Sequence, residues 1–298
     1  MHEPVLLHEV VAALRVRQGE TFVDCTAGSG GHSAAVARSV GGPFTHIVLD
    51  EDEDALERTE RRLSAQGNRA HLVQANFRDL SDVLVREKID AADAILFDLG
   101  VSTEELLQSG RGFSFSSPTG ADEPLLMSFA KYGREGKPTA REVVNRWSEE
   151  NLAVIIAGFG EERNAKRIAR AIAEARAKTP IETSKQLAEI VAGAIAKRGR
   201  VHPATKTFQA IRMAVNEELP ALTEGLRAAL ASLAPGGRLA VISFHSGEDR
   251  IVKRMFKEAE KREIGTTSKK PLAPSQKEVL ENPRARSAKL RVFIKNNI

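Results

Sequence analysis

The sequence predicts an α/β protein: a doubly wound, mostly parallel sheet interrupted by an all-helical insertion. Three observations carry this. Over the first hundred residues, short apolar runs alternate with helical patterns, the rhythm of strand–helix–strand units. Between about 105 and 205 the strand signals vanish and helical patterns follow one another. Beyond that, a strongly apolar run returns at 238–244, and the chain closes on Leu290, Val292 and Ile294 alternating with Lys289, Arg291 and Lys295. The expected units are residues 1–104 with 206–298 for the sheet, and 105–205 for the insertion.

Taken in order, residues 5–14 read as a helix leading into the sheet. Strands follow at 21–25, 45–49, 70–74 and 93–97, separated by helices at 32–39, 52–66 and 79–87. Residues 110–120, rich in Gly, Ser and Phe, read as a loop. Helices are expected at 124–132, 140–146, 148–158, 161–177 and 184–197, with Gly199 and Pro203 marking the end of the insertion. Helices at 205–216 and 219–233 lead to a turn at Pro235-Gly236-Gly237 and the strand 238–244. A helix at 248–261 and a polar loop over 265–288 precede the last strand, expected to be half-buried with Leu290, Val292 and Ile294 inward.

The 298 residues are 42% hydrophobic, enough for a sizeable core, and 28% charged, which sets the chain apart from disordered sequences. No apolar run reaches the ~18 residues of a membrane span, so no membrane partner is expected. Met1-His2-Glu3-Pro4 lacks the start of a secretion signal, and Cys25 is the only cysteine. Together these point to a reducing cytoplasm and to no cysteine-built metal centre. The charge is uneven. Residues 250–298 carry fourteen Lys/Arg against five Glu, a net +9 within a chain total of +4. A basic tail on a mildly acidic body fits a polyanionic partner or, in the bland reading, a solvated surface.

Chemistry-bearing residues gather where strands are expected to end. Asp24-Cys25-Thr26-Ala27-Gly28-Ser29-Gly30-Gly31-His32 runs from a strand through a glycine loop into a helix, a place where backbone can approach a ligand. Ser33 stands where a dinucleotide fingerprint has its third glycine, and no Lys-Ser/Thr follows as in a P-loop. Asp50 ends the second strand, 22 positions after Gly28; a carboxylate there accepts hydrogen bonds from a ribose diol, or simply favours a helix N-terminus. Phe77 follows the third strand and is either an adenine platform or a core aromatic. Asp98 ends the fourth strand at the ligand crevice, as a site acid or a buried cap. His245 ends the fifth, structural or catalytic on even terms.

Seven strings in order then carry a resemblance over essentially the whole length. After His2-Glu3-Pro4-Val5-Leu6 and the glycine loop come Phe97-Asp98-Leu99-Gly100-Val101-Ser102, Arg111-Gly112-Phe113-Ser114-Phe115 and the run from His202 to Ala210. Ser243-Phe244-His245-Ser246 and the run from Asn282 to Arg291 close the set. The chain resembles the bacterial small-subunit ribosomal RNA cytosine-N4 methyltransferases that use S-adenosylmethionine. That resemblance implies a class I methyltransferase sheet, Rossmann-like, with a helical substrate-side domain. It implies transfer of a methyl group to the N4 amine of a cytidine near the decoding centre. It implies cofactor contacts at Gly30, Gly31, His32, Asp50, Phe77 and Asp98, and at Glu105, where the family usually has glutamine. A second departure is Leu126 and Ser128, where the family has an acid and a base.

With that reading, Asp98 is the expected hydrogen-bond acceptor for the amine and His245 a helper that positions the base or takes the proton late. Arg111, Phe113 and Phe115 are expected to meet RNA, or to form an apolar lid. Arg284, Arg286, Lys289 and Arg291 are expected to hold phosphates, with a structural tie of the tail to Glu278 or Glu281 as the alternative. The expected partner is small-subunit ribosomal RNA, with a homodimer left open. Two rival classes are a DNA amino-methyltransferase, which would carry Pro-Pro-aromatic where Asp98-Leu99-Gly100 stands, and a non-catalytic RNA-binding or assembly factor.

Overall fold

The computed structural model describes residues 4–100, 109–115, 122–131, 133, 136–195 and 202–297. The strands among them are β1 (Thr21–Asp24), β2 (Thr45–Asp50), β3 (His71–Gln74), β4 (Ala92–Asp98), β5 (Leu233–Ser243), β6 (Gly265–Thr267) and β7 (Lys289–Lys295). They form one sheet in the order β3-β2-β1-β4-β5-β7-β6. The first five are parallel, while β7 runs antiparallel to both β5 and β6. From β1 the chain moves outward through β2 and β3, then returns to lay β4 on the other side of β1. That reversal opens a crevice at the carboxyl ends of β1 and β4.

The chain divides into two compact units, residues 1–100 with 219–298, and residues 101–218. In the first, α1 (Leu7–Leu14), α2 (Gly31–Val40), α3 (Glu53–Ser64) and α4 (Leu80–Arg86) accompany the early strands. Central strands here are continuous apolar runs, Ile47–Leu49 and Ile95–Phe97 being fully buried, as expected where helices cover both faces. In the second unit lie α5 (Ala140–Arg146), α6 (Glu149–Gly158), α7 (Ala165–Arg176), α8 (Ser184–Ala194) and α9 (Thr205–Val215). Reciprocal capping by Thr139 with Glu142, and by Thr183 with Gln186, starts α5 and α8. Then α10 (Glu218–Ser232), α11 (Ser246–Lys261) and α12 (Gln276–Glu281) belong with the later strands.

Five expectations are corrected. The helical unit extends past 205, because α9 buries Phe208, Ile211 and Val215 among Leu152, Ile156 and Ile168. No helix forms at 124–131: the Leu125 and Leu126 amides donate to the Glu182 and Arg111 carbonyls, and Met127 sits at φ 52°, which a right-handed helix excludes. The turn at 235–237 is a bulge inside β5, since Leu233 pairs with Ala92 and Arg238 with Ala94. The polar stretch 265–288 contains β6, α12 and a 3-10 turn at Pro283–Ser287.

The last correction concerns β7, which is covered on both faces. Leu290 packs with Leu6, Val10 and Leu14, while Phe293 packs against Phe256 of α11. Ile294, expected inside, is exposed, and Arg291, expected outside, is buried.

Candidate functional site

Asp24, Asp50 and Asp98 end three adjacent parallel strands, so their carboxylates share one edge of the sheet. The glycine loop lies over that edge. Gly28 at φ 54° donates its amide to Asp50 Oδ2 at 3.0 Å, and an added Cβ there would meet nothing within 4 Å. Gly28 is therefore the open point of the loop. Gly30 and Gly31 are small for another reason. A Cβ on Gly30 would lie 2.9 Å from the Thr59 Cα, and one on Gly31 2.2 Å from Pro4 Cγ. Packing against α3 and the N-terminal segment thus explains the glycines at both positions. Asp50 also accepts from the Asp52 amide at 2.9 Å, and burial raises its carboxyl above the ordinary value.

Asp98 is held at two points. Its amide donates to Thr26 Oγ1 at 2.7 Å, and its Oδ2 lies 3.3 Å from His32 Nδ1. Its Oδ1 is buried with no hydrogen-bond partner among the described residues. His32, itself buried, has its other ring nitrogen 3.0 Å from the Val5 carbonyl. Both nitrogens face acceptors, and only an imidazolium donates from both. Burial opposes that charge, but the Asp98 bond and charge, with Asp24 nearby, outweigh it and leave the His32 pKa raised. Sequence reasoning quoted Asp24 and Thr26 only as part of the loop. Asp24 accepts from Ser33 Oγ at 2.7 Å and from the Thr26 amide at 3.1 Å, and burial pushes its carboxyl up to about 6. Its position at a strand end, like that of Asp50 and Asp98, was the available signal.

Phe77, half-buried, meets Phe97 edge-on at 5.4 Å and packs against Gly225 of α10. The other expected site residues divide. Glu105 lies outside the described residues, and so do Val101 and Ser102. His245 is the N-cap of α11: its Nδ1 accepts from the Glu248 amide at 3.3 Å, while Glu248 Oε2 accepts from the Phe244 amide at 2.8 Å. Nε2 lies 3.1 Å from Glu248 Oε1 but out of line for a hydrogen bond. The expectation is corrected for Nδ1, which is engaged in starting the helix, while Nε2, also buried, has no hydrogen-bond partner among the described residues.

Arg111 and Phe113 are likewise corrected. Both are buried, Arg111 donating to the Ser128 and Phe129 carbonyls and Phe113 stacking on Phe129. Phe115, half-buried, packs on His202 and Phe208. These side chains build the core of the helical unit. Leu126 is half-buried there and Ser128 buried. In the tail, Arg291 Nε donates to Asp249 Oδ1 at 2.7 Å and Lys289 Nζ to Oδ2 at 3.3 Å. Arg291 is committed to that pair and cannot reach a phosphate, and Lys289 shares the same carboxylate. Arg284 and Arg286 are exposed, on either side of buried Ala285.

Near relatives put a class to this geometry. The chain is 45% identical to the ribosomal RNA small subunit methyltransferase H of Symbiobacterium thermophilum, over 99% of this chain and 96% of that one. It is 45% identical to the protein of the same name from Persephonella marina, over 98% of each. Among solved structures it is similar to an rRNA methylase from Streptococcus thermophilus, 13% identical, with TM-score 0.47 over 99% of both chains. A methyltransferase of Streptococcus mutans solved with bound SAH is 12% identical, with TM-score 0.47 over 99% of both. Residues 1–296 match the MraW methylase family, and the chain belongs to it.

Proposed function

We propose that the chain transfers a methyl group from S-adenosylmethionine to the N4 amine of a cytidine in small-subunit ribosomal RNA, near the decoding centre. The observation that carries the site assignment is the buried, partnerless Oδ1 of Asp98 at the point where the strand order reverses. The residues present fit the cofactor. Gly28 leaves the loop open for close backbone approach, Asp50 keeps lone pairs for ribose hydroxyls, and the exposed part of Phe77 can cover an adenine.

When bound, S-adenosylmethionine would supply a sulfonium methyl whose carbon a nitrogen lone pair can attack directly, the carbon–sulfur bond breaking to leave S-adenosylhomocysteine. The cytosine amine is a weak nucleophile because its lone pair is delocalised into the ring. Orientation is therefore the main service the protein can provide. Thr26 fixes the Asp98 backbone and His32 its carboxylate through Oδ2, leaving Oδ1 to accept a hydrogen bond at the crevice. On this reading the amine donates to that oxygen as nitrogen becomes tetrahedral, and its surplus proton leaves through the same contact or to water. The cytidine has to be single-stranded or flipped out of its stack, at a cost of a few kcal/mol.

Two measurements test this. Ribosomal RNA from a deletion strain should lack one N4-methyl group on a small-subunit cytidine by mass spectrometry. The purified chain with labelled cofactor should restore it on isolated small subunits. An unchanged modification profile, or transfer to duplex DNA instead, would overturn the assignment.

A further inference from the structure

The exposed charge of the C-terminal region is concentrated on one helix rather than on the tail strand. Helix α11 carries four acids, and each is engaged. Glu248 is buried in the cap, Asp249 takes Arg291 and Lys289, Glu258 takes Arg262, and Glu260 accepts the Thr267 amide. Its exposed cations Arg250, Lys253, Arg254, Lys257 and Lys261 make no side-chain hydrogen bond or ion pair among the described residues. At about 100° per residue, all five fall within an arc of about 100°. Val252, Phe256 and Ala259, the buried apolar residues of α11, lie on the opposite side.

The row also has direction. α11 begins three residues after β5 ends, at the ligand edge of the sheet, so Arg250 lies near that edge and Lys261 far from it. Eleven positions at about 1.5 Å each give a row of about 16 Å. One nucleic-acid strand, at roughly 3.4 Å per phosphate along its axis, sets about five charges beside it. A solvated helix face ordinarily intersperses both signs or pairs them at i, i+4. Here the acids are drawn off and the cations left over.

We propose that the Arg250–Lys253–Arg254–Lys257–Lys261 face of α11 is a phosphate-tracking surface for single-stranded RNA leading away from the crevice. This rests on the ribosomal RNA reading and names the surface that holds the strand flanking the target. It takes over the task that buried Arg291 cannot perform, because Asp249 already holds it.

The test uses the full chain and a labelled single-stranded 16-nucleotide RNA of mixed sequence, with fluorescence anisotropy from about 50 to 300 mM salt. The triple variant Arg254→Gln, Lys257→Gln, Lys261→Gln should flatten the log–log salt slope by about two units, since each lost phosphate contact is worth about 0.7 to 0.9. Affinity at 100 mM salt should fall by at least tenfold, with the Tm and the affinity for S-adenosylhomocysteine unchanged. A charge-matched control, Arg38→Gln, Arg61→Gln, Arg69→Gln, removes three exposed cations elsewhere and should leave the slope within half a unit. Equal flattening by both triples would reduce the effect to net charge and overturn the proposal. An unchanged slope in the α11 triple, with methylation of small subunits intact, would overturn the surface while sparing the proposed activity. Binding to phosphatidylserine vesicles without binding to RNA would overturn it in favour of a membrane.

Discussion

Asp98 and His32 form the site's most constrained pair, and their chemistry is pH-dependent. Two acceptors face the His32 ring, the Asp98 carboxylate from β4 and the Val5 carbonyl, with the Asp24 carboxylate of β1 contributing charge. A histidine whose folded pKa is raised stabilises the fold fully below its unfolded value near 6.5, and that stability is lost as pH rises through the folded value. Asp24, raised by burial to about 6, acts in the same sense at lower pH: stability falls between about 4 and 6 as the folded carboxyl ionises. The His32 ring should titrate by NMR with a midpoint above 6.5 in the wild-type protein. In Asp98→Asn the midpoint should drop, because the paired charge is gone. A midpoint below 6.5 in the wild type would mean that the ring is neutral and one of its contacts is unsatisfied. The sequence brought Gly28, Asp50 and Asp98 to one edge through strand ends alone. It could not reveal that Gly30 and Gly31 are small to make room for Thr59 and Pro4, because those contacts join segments distant along the chain.

At the level of elements, β7 teaches most. Its alternation of Leu290, Val292 and Ile294 reads as one buried face, which holds for a strand open to water on the other side. In fact β7 lies between β5 and β6, with α11 packed over the second face, so Arg291 is carried inward and meets Asp249. The Asp249 carboxyl loses solvent but gains hydrogen bonds and charge from Arg291 and Lys289, and its pKa is lowered. Removing Arg291 leaves the half-buried Asp249 carboxylate with Lys289 as its partner. Arg291→Ala should therefore cost about 2 kcal/mol in urea unfolding, in the range for lost hydrogen bonds to a charged group, while the salt slope of RNA binding by the folded protein stays as it was. The Asp249 contribution is present above pH ~4 and disappears as pH falls through the lowered folded value, so the wild-type and mutant stabilities should converge in acid. A loss below 1 kcal/mol would return Arg291 to the surface. His245 shows a related effect at one of its two ring nitrogens, Nδ1. A strand end beside the crevice is also a helix start, and a ring nitrogen that caps α11 is not free for a substrate.

For the whole molecule, the parallel sheet and its interruption were legible because short apolar runs alternating with helical patterns give way to helical patterns alone where the chain leaves the sheet. The extent of the interruption was less so, since α9 is amphipathic in the same way whichever core it joins. Cofactor binding should act on the sheet-bearing unit through mass action. At a hundredfold excess over its Kd, S-adenosylhomocysteine should add about 2.7 kcal/mol. Amides of β1, β2 and β4 that exchange only by global opening of that unit should then slow by about a hundredfold in hydrogen-exchange measurements. No slowing at saturation would mean that the ligand does not select the folded sheet. The margins of that sheet have a further consequence. Its outermost strands are β3, of four residues, and β6, of three. An exposed strand offers unmet backbone groups to another chain, and the hazard grows with its length. With borders this brief, and Lys261, Arg262, Lys269 and Lys270 crowding β6 in sequence, neighbouring copies have little ribbon to zip onto. The protein should accordingly tolerate crowding and high concentration without cross-chain strand addition, keeping its cationic helix for a nucleic acid and not for aggregates.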